Sequence, residues 1–69
     1  MFDKKAFKRM AEDKGFTLEA VAKELGISKV TLYRKMSGES DFYRHEMKAI
    51  RDLFQEENMD QIFFADVVA

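Results

Sequence analysis

Apolar residues recur along this chain at helical spacing, with charged and polar residues between them. The clearest stripe is Leu18, Val21, Ala22 and Leu25, at i, i+3, i+4 and i+7, which predicts one buried helix face. Thr17 before it supplies an N-cap hydroxyl, and Phe16 with Val21 forms a hydrophobic staple across that cap. Gly26 follows Leu25 where a left-handed residue must end the helix, a conformation glycine reaches without a Cβ clash. The same grammar then repeats: Ser28 caps, Ile27 and Leu32 staple, a second helix starts at Lys29, and Gly38 closes it. Upstream, Asp3 caps a first helix stapled by Phe2 and Phe7. Its inner face is Phe2, Ala6, Phe7, Met10 and Ala11, and it ends at Lys14 and Gly15. Downstream, residues 39–42 form a short loop, and a fourth helix begins near Tyr43 or Arg44 with Met47, Ile50, Leu53 and Phe54 inward. Glu46 holds the second position of a capping box opened at Tyr43, though Tyr lacks the short hydroxyl of Ser or Thr. Asn58 with Gln61 reads as another capping box, predicting a last helical turn that carries Ile62, Phe63 and Phe64 back onto the core. The final DVVA frays or extends as a β-arm.

A helix of about eight residues, a glycine-containing turn and a second short helix make the layout of a helix-turn-helix, here over residues 17–38. Ala22 lets the second helix approach closely, and Ile27 with Leu32 plugs the angle between the pair. In such a unit the second helix lies in the major groove with its N-terminal residues at the base edges. Those residues are Lys29, Val30 and Thr31, with Tyr33 and Arg34 one turn on. Lys29 and Arg34 can donate to guanine O6 and N7, and Val30 or the Thr31 methyl can meet a thymine methyl. Val30 reads equally as half-buried. Phosphate contacts are expected from Ser28, Lys35, Ser37 and Arg44, the last at the N-terminus of the fourth helix, where amides and helix dipole favour an anion.

The pattern resembles the Cro/CI-type (XRE) family of phage and bacterial regulators, whose Thr, Ala, Gly, aliphatic, Ser, aliphatic, Gly series is matched at Thr17, Ala22, Gly26, Ile27, Ser28, Leu32 and Gly38. The run GISKVTLYRKMSGESDF and the ending with Ile62, Phe63 and Phe64 look like small phage-encoded members. In that family the residues matching Lys29, Val30 and Arg34 usually read bases. The resemblance implies an all-α, compact four- to five-helix bundle of the lambda-repressor-like type, with residues 1–69 forming one DNA-binding domain. The sequence departs from the family at Leu18, where a phosphate-binding Gln is common. It departs also at Lys35, where a core residue is common, and at Met36, where Glu is common. Met36 lies i+4 from Leu32 and can take over the core position.

Sixty-nine residues bury only about 60% of their unfolded surface, and without cysteine the seven Phe, five Met and the aliphatics must hold the core alone. The longest uncharged run, Gln61 to Ala65, is far too short for a bilayer, and the N-terminus has no apolar signal region. A soluble, cytoplasmic protein of a bacterial or phage-infected cell is expected. The net charge of −1 is low for a DNA binder, but residues 1–51 hold all twelve bases against eight acids, while residues 52–69 hold five acids and no base. That asymmetry suits a basic reading face and an acidic back. Lys4, Lys5, Lys8 and Arg9 read as a solvated face of the first helix.

Nothing suggests an enzyme, and no cofactor or metal is expected. The single histidine, His45, lies on the polar side of the fourth helix, without cysteine, paired nucleophile or glycine-rich loop. Its i, i+4 spacing from Asp41 reads as a surface histidine rather than a metal site. The expected partner is double-stranded operator DNA. Ile62, Phe63, Phe64, Val67 and Val68 either bury within the monomer or support a weak homodimer through residues 62–69. The rival function is a protein-interaction module of antirepressor type that docks on another phage regulator, a reading that the low net charge and Leu18 favour.

Overall fold

The computed structural model describes residues 1–65 and is all-helical over them. Its elements are α1 (Lys4–Asp13), α2 (Leu18–Leu25), α3 (Lys29–Met36), α4 (Arg44–Phe54) and α5 (Asp60–Phe63). The first three helices start as their caps dictate. Asp3 accepts from the Ala6 amide at 3.0 Å, Thr17 from Ala20 at 3.0 Å and Ser28 from Thr31 at 3.1 Å, each bond satisfying one orphan donor of a first turn. At α4 the cap runs the other way, with the Tyr43 amide donating to the Glu46 carboxylate at 2.8 Å.

The four long helices end alike. A residue of positive φ follows each, and the next amide reaches back five residues: Phe16 to the Ala11 carbonyl, Ile27 to Ala22, Glu39 to Arg34 and Glu56 to Arg51, at 2.8–3.0 Å. This is the Schellman closure, which satisfies carbonyls that the helix leaves open. Gln55 takes the positive-φ place after α4 without being glycine.

α2 packs on both α3 and α4, and α1 packs on α5. The core between them is Phe7, Ala11, Val21, Ala22, Leu32, Met36, Ile50, Phe54, Met59, Ile62 and Phe63. Six phenylalanines form a connected aromatic run through it. Phe16 stacks on Phe54 at 5.6 Å, Phe54 meets Phe7 at 5.6 Å, Phe7 meets Phe2 at 5.2 Å, and Phe2 meets Phe42 at 4.9 Å and Phe63 at 5.6 Å. Aromatic rings supply large buried area per residue, which suits a short chain with no crosslink.

The end of the chain differs from expectation. Asn58 accepts from the Asp60 amide at 3.1 Å, a two-residue Asx turn rather than a capping box with Gln61, so α5 starts at Asp60. Ile62 and Phe63 return to the core as expected, but Phe64 remains 43% exposed, and Met59 is buried in its stead. Asp66, Val67, Val68 and Ala69, the segment expected to fray or form a β-arm, lie outside the described residues. The acids of the last segment are not a bare patch either, because Glu56 bonds Lys14, the C-cap of α1, at 2.8 Å.

Candidate nucleic-acid interface

α3 is held on its inner side by Leu32, Lys35 and Met36, all buried and spaced i, i+3, i+4. Helical geometry then turns Lys29, Val30, Tyr33, Arg34 and Ser37 outward as one stripe, and all five are exposed. Val30, for which burial and exposure were equally open, is 59% exposed. The Lys29 ammonium stands 5.8 Å from the centre of the Tyr33 ring, so cation and phenol share one patch. Thr31 is half-buried at the edge of this face.

The orientation of α3 comes from the turn before it. Gly26 has φ +71°, and its amide and that of Ile27 bond the Lys23 and Ala22 carbonyls, so the chain reverses within three residues. Half-buried Ile27 packs against the core that holds Val21, Ala22 and Leu32. An eight-residue helix is too short to hold its direction alone, and this packing supplies it.

The hydroxyls beside the stripe are already engaged. Ser28 Oγ accepts from the Thr31 amide and donates to Thr31 Oγ1 at 2.9 Å, and Ser37 Oγ donates to the Arg34 carbonyl at 3.2 Å. Either serine meets a phosphate only by giving up that bond. Arg44 is exposed at the first position of α4, beside Tyr43, which is also exposed and stacks on His45 at 5.8 Å. The sequence places Tyr43 at the opening of α4 but not among the expected contacts, and its position next to Arg44 is the signal that could have found it.

Lys35 overturns its expectation. It is 5% exposed, and its ammonium bonds the Glu46 carboxylate at 3.0 Å and the Asp41 carbonyl at 3.0 Å while lying 4.1 Å over the Tyr43 ring. The cation points into the protein because Lys35 occupies the inner stripe of α3, so it has no reach to a phosphate. Glu46 occupies the inner stripe of α4, four residues before Ile50, and is equally buried. No buried side-chain nitrogen or oxygen among the described residues lacks a partner.

Among the described residues no three His, Cys, Asp or Glu side chains converge as a metal site, and no helix is long and apolar enough to cross a membrane. Compared with known families, residues 1–37 match the bacterial regulatory protein, Fis family. The matched stretch runs from the chain's start through α1, α2 and α3 to Ser37, and so contains the whole outward stripe. No curated protein and no solved structure matches the chain.

Proposed function

The chain belongs to the Fis family of bacterial regulatory proteins, a helix-turn-helix DNA-binding family, and from that premise we propose that it is a transcriptional regulator reading operator DNA with α3 in the major groove. The observation that carries this reading is the outward stripe of α3, which presents two cations, a phenol and an exposed isopropyl group on a helix anchored by its other face. Lys29, Val30, Thr31, Tyr33 and Arg34 are the proposed base contacts. Lys29 and Arg34 suit guanine, and Val30 suits a thymine methyl. Arg44, with the amides of the α4 N-terminus, and the hydroxyls of Ser28 and Ser37 are the proposed phosphate contacts. Residues 1–69 act in this reading as one domain in the cytoplasm of a bacterial or phage-infected cell, without cofactor, and two copies pair weakly on DNA.

A likeness to the Cro/CI type, a separate helix-turn-helix family from the one matched, is a further part of this proposal. Support comes from Thr17, Ala22, Gly26, Ile27, Ser28, Leu32 and Gly38, and from α4 and α5, which close the bundle beyond the matched residues. A protein-docking role of antirepressor type is the second reading, favoured by the net charge of −1, which gives little non-specific pull toward phosphate. A gel shift on duplexes from the DNA flanking the chain's own gene, at low and moderate salt, separates the two. A discrete complex that survives random competitor DNA is expected. Binding that random competitor abolishes at every salt concentration would leave the docking role.

A further inference from the structure

We infer that the buried Lys35–Glu46 pair is a positioning device that fixes the register between the base-reading helix and the phosphate-contacting start of α4. The inference rests on the DNA-reading proposal above.

One carboxylate oxygen, Glu46 Oε1, receives two charge-assisted bonds, from Lys35 Nζ at 3.0 Å and from the Tyr43 amide at 2.8 Å. The same ammonium takes the Asp41 carbonyl at 3.0 Å and lies over the Tyr43 ring at 4.1 Å. The ammonium contacts of Lys35 thus all fall within residues 41–46, the segment that carries Arg44. Lys35 follows Arg34 directly and Glu46 stands two residues past Arg44, so the pair joins the neighbour of a proposed base contact to the first turn that holds a proposed phosphate contact.

Burying two charges is a poor way to add stability, since desolvation offsets most of their attraction and a matched apolar pair is often as good or better. What an apolar pair lacks is direction. Methionine and leucine pack in several ways, whereas an ammonium facing a carboxylate, a carbonyl and a ring is satisfied in one arrangement. A helix that reads bases needs that single arrangement, because contacts misplaced by an ångström lose hydrogen-bond geometry while phosphate attraction persists.

The test starts with the unaltered chain and a random-sequence duplex pool, from which it selects its preferred duplex. The double variant Lys35→Met/Glu46→Leu is then compared on that duplex and on a random duplex across a salt series. The expected result is a folded protein whose thermal stability changes little, the loss of the Tyr43–Glu46 cap bond offsetting what the apolar pair gains, with equal affinity for the random duplex and an unchanged salt slope. The ratio of specific to random affinity should fall by about tenfold or more, the scale of one lost base readout. A double variant that keeps the full ratio would overturn the inference while leaving the DNA reading intact. A salt slope lowered by about one would also overturn it, because Lys35 would then be a phosphate contact. A pool from which the unaltered chain enriches nothing would overturn both. Should the double variant not fold, amide exchange of Tyr43 in the unaltered chain decides the matter. Slowed exchange already in the free chain is expected, and protection that arises only on DNA would show that the pair does not preset the register.

Discussion

The amide of Asp3 donates to the carbonyl of Ile62 at 2.7 Å, fastening the cap residue of α1 to the last helix. A second bond, from the Ala65 amide to the Met1 carbonyl at 3.0 Å, ties the same two segments. Next to them the Phe63 ring meets Phe2 at 5.6 Å and Phe42 at 5.5 Å. Four residues cannot sustain a helix by themselves, so α5 exists through these tertiary bonds and completes the core that orients α2 and α3.

Adjacent phenylalanines should therefore behave differently. Phe63→Ala removes a buried ring and should cost about 3 kcal/mol or more, while Phe64→Ala, on a half-exposed ring, should cost under about 1 kcal/mol. Urea denaturation of the two variants gives the comparison. Equal losses would mean that Phe63 is not a core residue.

Helix positions, caps and the turn were legible because each is a local matter. A hydroxyl or carboxylate three residues before an amide, or a glycine after an apolar stripe, needs no knowledge of the rest of the chain. Lys35 was legible by spacing but not by residue type. It stands i+3 from Leu32, on the inner stripe, and Glu46 stands i−4 from Ile50 on the inner stripe of the next helix. Two opposite charges on inward stripes of successive helices were the available sign of a buried pair. Reading lysine as a surface residue concealed it. Phe64 went astray for another reason, since three successive helical residues sweep about 200° and cannot all face one core. The proposed base contacts are legible as an exposed stripe, but which bases such a stripe would meet depends on the partner.

Strain rather than space decides Gly26. A Cβ built there meets no atom within 4 Å, yet φ is +71°, where a side chain clashes with its own backbone. Gly26→Ala should destabilise by about 1 kcal/mol and Gly26→Val by more, while Gly26→Asn should recover part of the loss. Thermal melts of the three variants supply the ranking. A valine variant melting with the unaltered chain would mean that the turn does not need its left-handed residue.

Arg34 and Arg44 separate base reading from charge. Arg34→Ala should lose about 1–3 kcal/mol on the selected duplex and relax preference at one base pair, with random DNA little affected. Arg44→Ala should weaken all duplexes alike and lower the salt slope by about one. Neither change touches the core, so both melting temperatures should hold. Competition titrations at several salt concentrations read both effects, and an Arg34 variant with unaltered preference would remove α3 from the groove.

Assembly follows from how little surface one module offers. A single reading helix meets a few base pairs, an isolated module buries only about 600–1,000 Å² on DNA, and the net charge of −1 adds little attraction, so one copy should bind weakly. Pairing on half-sites about 34 Å apart would restore affinity by making the second contact effectively intramolecular. Among the described residues of the segment proposed for pairing, Ile62 and Phe63 are consumed by the monomer core and Phe64 is left as the exposed ring beside them. The free chain should accordingly sediment as a monomer at about 10 μM and bind a palindromic duplex at least about tenfold more tightly than its half-site. Removing residues 66–69 should weaken full-site binding without altering half-site binding if the tail joins the contact. Equal affinity of the unaltered chain for half-site and full site would exclude the paired arrangement and strengthen the protein-docking role.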